Sequence, residues 1–384
     1  MRGGPSCSKG SSAVQIDRAR VERYARAGAR WARLAAPRHL RPGVRVFYGH
    51  DRVPVPGEAV AGGTAKFQRL ASRFPNCPAD FTLLYLGSTW LPRDLRPLLA
   101  LARRRRVPVV LNQNGVAYPG WAGAATEELN RINHRVLDAA MHVLYQSAFS
   151  KRSADELVAE PRGSWEVLYN AVDVDHFVPA TTAPSDGPVL VLYGDQTQAY
   201  RLDLALRTFA HVRRAEPDAR LLITGRLVTD AAPLVEELGI GEGVDLVGRY
   251  TQREAPAILQ RAHVLLHTKV NDPCPSAVIE AMACGVPVVY PASGGTVELV
   301  GDEAGVGVAH RATWERDEPP PPEALAGAVG EVLGSHASYS AAARRRAVER
   351  FALEPWLDRH AELFDGLLAR RIACDPKAGV RPRA

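Results

Sequence analysis

One carboxylate stands alone in the most apolar stretch of this 384-residue chain: Glu280, between Ala277 and Cys284. A helix here is apolar all round, so Glu280 must sit largely out of water, where an unpartnered carboxylate is expensive. Two chemistries would satisfy it: a basic side chain, or a ligand rich in hydroxyl donors. Seven residues separate it from a second acid, Asp272. Between the two, Ser276 suits a helix N-cap. Gly285 fits the left-handed position past the helix end, and Pro287 prevents continuation. Val288 to Tyr290 then reads as a short strand, and Gly294-Gly295-Thr296 as a tight turn into another helix. A helix N-terminus and a glycine turn at one end of a parallel sheet suit a diphosphate.

This run continues Ala-Met-Ala-Cys-Gly-Val-Pro-Val-Val after Glu280 and ends in Gly294-Gly295-x-x-Glu298. It resembles the nucleotide-sugar site of retaining glycosyltransferases of family 4, also called glycosyl transferases group 1. That family has Glu at both ends of the spacing, with Gly-Phe-Gly between. Here the first acid is Asp272, followed by Pro273-Cys274-Pro275. Asn170-Ala171-Val172-Asp173, with Phe177 and Pro179, resembles the family's Asn-Gly-Val-Asp…Phe-x-Pro signature before the interdomain linker. Gln146-Ser147 with Ser150-Lys151 resembles its Ser-x-x-x-Lys element. The resemblance spans about residues 44 to 365. It implies an α/β protein of GT-B fold: two Rossmann-like domains with parallel sheets facing a central cleft.

The resemblance also implies roles. Glu280 would bind the ribose hydroxyls, or else form a buried ion pair. Asp272 would contact the donor sugar and stabilise developing positive charge. Ser276 and Ala277 would offer backbone N–H groups to the diphosphate, while Gly294, Gly295 and Thr296 line the sugar pocket or form only a turn. The family's Gly-Arg-x-x-x-x-Lys supplies cations to the leaving group. Here the stretch reads Gly194-Asp195-Gln196-Thr197-Gln198-Ala199-Tyr200-Arg201, so either Arg201 takes over, or Arg226 after the next strand does, or activity is weakened. Gly62-Gly63 resembles the glycine loop on the acceptor and phosphate side. Asn114 stands where many members have a histidine touching the donor sugar. Tyr118 and Trp121 are candidates to stack on a sugar-like acceptor. Asp173-x-Asp175 lies inside the linker signature, and no metal site is expected. No cofactor is implied, since a UDP-, GDP- or dTDP-sugar is a substrate. No side chain is an obvious covalent nucleophile, so the implied mechanism is same-face transfer in which the departing phosphate takes the acceptor proton.

The elements that must position these residues alternate between strand and helix, as in a parallel sheet. A disordered start and a helix (Val14 to Leu34) fill residues 1–40. An acceptor-binding Rossmann-like domain is expected over 41–180, with Gly62-Gly63 in a loop after its first strand. The Pro/Thr/Ser-rich stretch Pro179 to Pro188 reads as a linker. The pattern then restarts as a nucleotide-sugar domain over 181–345. Helices over 346–372 cross back to the first domain, Trp356 anchoring them, and 373–384 is a tail.

Composition narrows the partners. The net charge of +6 and pI near 9.2 do not indicate nucleic acid, because only five residues are lysines and arginines are spread throughout. No nucleic-acid motif accompanies the charge. Five scattered cysteines imply neither a disulfide framework nor a metal site. Without a signal-like or membrane-spanning stretch, the expected location is cytoplasmic. Arg103 to Arg106 most simply ends a helix, with membrane-surface attachment as the alternative. The expected activity is sugar transfer, with retention, to a small-molecule or glycan acceptor. Assembly of an aminocyclitol or other antibiotic-like natural product is the favoured setting. The alternatives are a cell-envelope polysaccharide or glycolipid transferase, and a noncatalytic nucleotide-sugar-binding protein.

Overall fold

The computed structural model describes residues 28–32, 34, 36, 43–55, 58, 62–181 and 187–373. Most of the expected N-terminal helix, the middle of the linker and residues 374–384 lie outside them. The first half carries β1 (Val46–Phe47), α1 (Gly62–Arg73), β2 (Leu83–Gly87), α2 (Leu95–Arg104), β3 (Val109–Gln113), α3 (Thr126–Ala139), β4 (His142–Tyr145), α4 (Ala148–Leu157) and β5 (Ser164–Val167). Its sheet is parallel, in the order β1-β2-β3-β4-β5. β2, β3 and β4 are buried along their whole length. A parallel sheet covered on both faces demands such runs, which is why these strands read as continuous apolar segments.

The second half carries β6 (Val189–Leu192), α5 (Ala199–Ala215), β7 (Arg220–Thr224), α6 (Ala232–Glu237), β8 (Val244–Gly248), α7 (Ala255–Leu259), β9 (Val264–Leu266), α8 (Ser276–Ala283), β10 (Val288–Pro291), α9 (Thr296–Val300) and β11 (Gly305–Val308). Then come α10 (Pro322–Gly334), α11 (His336–Phe351) and α12 (Leu353–Ala373). The sheet order is β11-β10-β9-β6-β7-β8, all parallel. The chain runs outward to one side from β6, then returns to lay β9 on its other flank. Strand order therefore reverses between β6 and β9, and in open α/β sheets a crevice forms at the carboxyl ends of the strands at such a point. Trp356, Leu357, Phe364 and Leu367 of α12 pack with Val46, Phe67, Leu83 and Tyr85 of the first half.

Several local expectations need correction. Gly62 and Gly63 open α1 rather than lying in a loop. Ser276 is the first residue of α8, preceded by extended Pro275, and makes no side-chain cap. β5, β11 and α10 were not legible. β5 is a half-exposed edge strand reading SWEV, β11 alternates glycine with valine, and α10 follows a proline run. Gly285 does adopt the left-handed conformation that ends α8, at φ 72°.

Candidate active site

The reversal point brings two loops together. The loop after β6 carries Asp195 and leads into the first turn of α5, which carries Arg201, and the loop after β9 carries His267, Lys269 and Asp272. Asp272 is almost buried, with Lys269 Nζ 3.3 Å and His267 Nε2 3.6 Å from its Oδ2. Burial works to raise the Asp272 carboxyl. Lys269 first, with His267 and Arg201, outweighs this and holds it below the ordinary carboxylate value. Burial pushes His267 down to about 3, so the imidazole is neutral and its contact with Asp272 is not an ion pair. Arg201 is 7% exposed, and its Nη1 donates to the Asp195 carbonyl at 3.0 Å. Burial lowers its guanidinium against the opposing pull of Asp272. The structure thus brings Arg201 to Asp272.

The crevice is rich in buried polar atoms that lack partners among the described residues: Gln196 Oε1, Arg201 Nε, His267 Nε2, Thr268 Oγ1 and Thr296 Oγ1. Most buried polar groups in folded proteins are hydrogen-bonded, so these atoms leave bonding capacity that water or a polar ligand can take up. Beside it, α8 begins at Ser276, whose N–H and that of Ala277 have no acceptor within their own helix.

Gly294 and Gly295 hold this loop in place. Gly295 N donates to the Asp272 carbonyl at 2.8 Å. A Cβ at Gly295 would lie 1.9 Å from Pro273 O, and one at Gly294 would lie 2.5 Å from Asp272 O. Gly294 also has φ 72°. These glycines permit close backbone approach at Asp272 and Pro273, and Thr296 then opens α9.

Glu280 is 3% exposed, and its charge is answered from the other half. Arg69 Nη2 of α1 donates to its Oε1 at 2.7 Å, and the Tyr193 hydroxyl donates to Oε2 at 3.1 Å. Of the two readings left open by the sequence, the buried ion pair is present. The same Arg69 also donates to the Ala171 carbonyl. Further contacts close the halves on each other. Ser147 Oγ donates to Pro273 O at 2.6 Å. Glu298 accepts the N–H groups of Ala148 and Phe149, both at 2.7 Å, at the start of α4.

On the first-half wall, Asn114 is buried at the end of β3 and does not reach out as a histidine would. Its Oδ1 accepts from Lys66 Nζ at 2.6 Å and Gln146 Nε2 at 3.2 Å, and its Nδ2 donates to Thr89 Oγ1 at 2.9 Å. Gly63 lies against this group, since a Cβ there would meet Thr89 Oγ1 at 2.7 Å. Tyr118 is buried against Trp314 and donates to Asp317, so it is not free to stack on an acceptor; Trp121 is half exposed. The Arg226 guanidinium is exposed, and the backbone of that residue binds Asp195 and Gln196 instead. Asp173 Oδ1 caps a turn by accepting the N–H groups of Asp175 and His176. Lys66, Arg69 and Lys269 were not singled out from the sequence. The signal for the first two was available: two cations on one turn of a helix that begins Gly62-Gly63.

The family model described as glycosyl transferases group 1 matches residues 173–340. A GDP-mannose-dependent α-(1-6)-phosphatidylinositol monomannoside mannosyltransferase of Mycolicibacterium smegmatis is 27% identical over 87% of this chain and 86% of its own length. A D-inositol 3-phosphate glycosyltransferase of Mycobacteroides abscessus is 28% identical over 65% of this chain and 56% of its own. Among solved structures, sucrose-phosphate synthase from Thermosynechococcus elongatus superposes with a TM-score of 0.64 at 18% identity, covering 79% of this chain and 77% of that one. Anabaena HepE in complex with UDP-glucose gives 0.60 at 19% identity, covering 75% and 79%. With two parallel Rossmann-like halves closing on the Asp272 crevice, the chain has the GT-B fold, and its residues 173–340 are similar to glycosyl transferases group 1.

Proposed function

We propose that the enzyme takes a sugar from a nucleoside-diphosphate donor and transfers it, with retention, to a small polyol or cyclitol acceptor. The observation that carries this reading is the set of unpartnered buried polar atoms around Asp272 at the strand-order reversal. In it, the free N–H groups of α8 receive the diphosphate and Arg201 steadies the charge that grows as the glycosidic bond breaks. Asp272, kept ionised by Lys269 and Arg201, faces the sugar carbon as it becomes positive. Glu280 retains a second lone pair on each oxygen beyond those used by Arg69 and Tyr193, and so accepts the ribose hydroxyls. The departing phosphate takes the acceptor proton, and the protein's contribution is position and electrostatics.

The names of the mannosyltransferase and inositol 3-phosphate relatives support an acceptor bearing a cyclitol ring. A soluble aminocyclitol-type acceptor fits this chemistry, with an inositol-bearing envelope glycolipid as the second reading. Among the described residues no helix is long and apolar enough to cross a membrane. The reading places the reaction in the cytoplasm, where nucleotide sugars are held. Isothermal titration with UDP-, GDP- and dTDP-sugars identifies the donor. The donor that binds is then labelled in its sugar and offered with soluble cyclitols or with phosphatidylinositol vesicles. Binding of none of the three donor classes removes the reading.

A further inference from the structure

Lys66 is 3% exposed, yet its Nζ meets only two amide oxygens, Asn112 Oδ1 at 2.7 Å and Asn114 Oδ1 at 2.6 Å. Among the described residues no carboxylate pairs with it. A buried ammonium without a counter-charge is costly, and the core does not need it. Both amide oxygens already accept from Gln146 Nε2, at 2.9 and 3.2 Å. An ammonium also has three N–H donors, and these two bonds use two of them.

The surroundings of the lysine connect it to the second half of the molecule. Gln146 Oε1 accepts from Asn170 Nδ2 at 3.4 Å, and Asn170 Nδ2 donates to Cys274 O at 2.9 Å. A polar chain therefore runs from Lys66 to Cys274, two residues before α8 begins, and the Lys66 charge is felt at Cys274. The lysine and the free N–H groups of α8 thus lie toward the two ends of this chain and favour the same charge. The stretch after β6, meanwhile, has Asp195 and Tyr200 where cations would serve a leaving diphosphate.

We propose that Lys66 contacts the donor diphosphate from the first half of the molecule, supplying part of the positive charge that the loop after β6 lacks. This rests on the nucleotide-sugar reading above. It implies that binding moves a proton. Burial pushes the Lys66 ammonium down to about 7, so at pH 8 roughly nine-tenths of it is neutral, and a bound diphosphate draws the proton back. The groups around it do not compete between pH 6 and 9. Burial raises the Cys274 thiol to about 12, burial lowers His360 on α12 to about 4, and burial raises the Tyr85 hydroxyl on β2. Asp272 stays ionised, and Arg69 lies one turn along the same helix, paired with Glu280.

The test is titration calorimetry of the full chain with UDP and GDP, at pH 6 and pH 8, in buffers of different ionisation enthalpy. Greater proton uptake at pH 8 than at pH 6, approaching one proton per nucleotide, is expected. Lys66→Met should bind at least about tenfold more weakly at pH 7, lose that uptake, and melt no lower than the wild type. The nucleotide's own phosphate titrates alike in both proteins, so the difference isolates Lys66. Should the variant fail to fold, the wild-type uptake decides alone, and its absence overturns the proposal. A folded variant with unchanged affinity and proton count also overturns it, while the nucleotide-sugar reading stands. Uptake driven by glycerol 3-phosphate and not by UDP or GDP assigns the lysine to an acceptor phosphate, against the proposal. If the wild type binds neither nucleotide, both readings fall together.

Discussion

Arg69 Nη2 lies 2.7 Å from Glu280 Oε1, so the most buried acid of the second half is paired by a cation from the first. The pair ties Glu280 to the contact between the two halves, and the two partners are not equivalent. Arg69 without Glu280 keeps its bond to the Ala171 carbonyl, whereas Glu280 without Arg69 keeps only Tyr193. Removing one member of a buried pair costs about 3–5 kcal/mol when the other is left uncompensated. We predict that Arg69→Ala destabilises the fold more than Glu280→Ala, and that the double variant recovers part of the loss. Urea unfolding of the three proteins checks this. Equal losses in both single variants contradict it. Calorimetry on the same set should show Glu280→Ala weakening nucleotide binding with the fold intact.

Arg201 and Arg226 are separated by burial. Arg201 is enclosed beside Asp272 with its Nε unpartnered, whereas the Arg226 guanidinium is exposed. Arg201→Ala should lower turnover at least about tenfold, roughly 1.4 kcal/mol in the barrier, with a smaller effect on donor affinity. Arg226→Ala should lose distinctly less. Steady-state rates at saturating donor settle the order, and a larger loss at Arg226 would reverse the assignment.

Asp272 carries a pH signature. Its carboxyl lies below the ordinary value in the folded protein because Lys269, His267 and Arg201 outweigh its burial. The unfolded chain therefore takes up its proton first as pH falls. The stability Asp272 contributes is present above the ordinary carboxylate value and is lost as pH falls through the lowered one. Asp272→Asn should accordingly be less stable than wild type at pH 7, with the gap closing toward pH 3. Urea midpoints across that range test the sign, and a constant gap would contradict it.

Gly295 has no room for a side chain, since a Cβ would sit 1.9 Å from Pro273 O. Gly295→Ala must displace the Asp272–Pro273 backbone, a strain of about 1–3 kcal/mol by comparison with overpacked cores. We expect a lowered melting temperature together with reduced turnover. Gly330→Ala, at an open position within α10, serves as the control and should melt no lower than wild type. An unaltered Gly295→Ala protein would remove the glycine turn from the account of the site.

The parts of the fold legible in the sequence were those where burial imposes a pattern. β2, β3 and β4 announce themselves as apolar runs, and α8 as an apolar segment closed by Gly285 and Pro287. What escaped was set by partners distant in sequence. The pairing of Glu280 spans 211 residues to Arg69, and no local rule selects that arginine from the others. Lys66 passed as an ordinary lysine because its isolation from carboxylates exists only once Asn112, Asn114 and Gln146 surround it. Arg226 drew attention by following a strand at the correct sheet edge, but position in sequence does not say which way a side chain faces. The Gly-Gly turn was readable as a turn, and its hold on Asp272 was not.

Slow donor hydrolysis without acceptor reads out the proposed retaining transfer from a nucleotide sugar. UDP-glucose, or whichever α-linked donor the protein binds, is incubated with enzyme while proton NMR follows the first sugar released, before the anomers equilibrate. The α anomer should form first, and Asp272→Asn should slow its release. The β anomer appearing first, or release at the same rate from the Asp272→Asn protein, would contradict the proposed transfer.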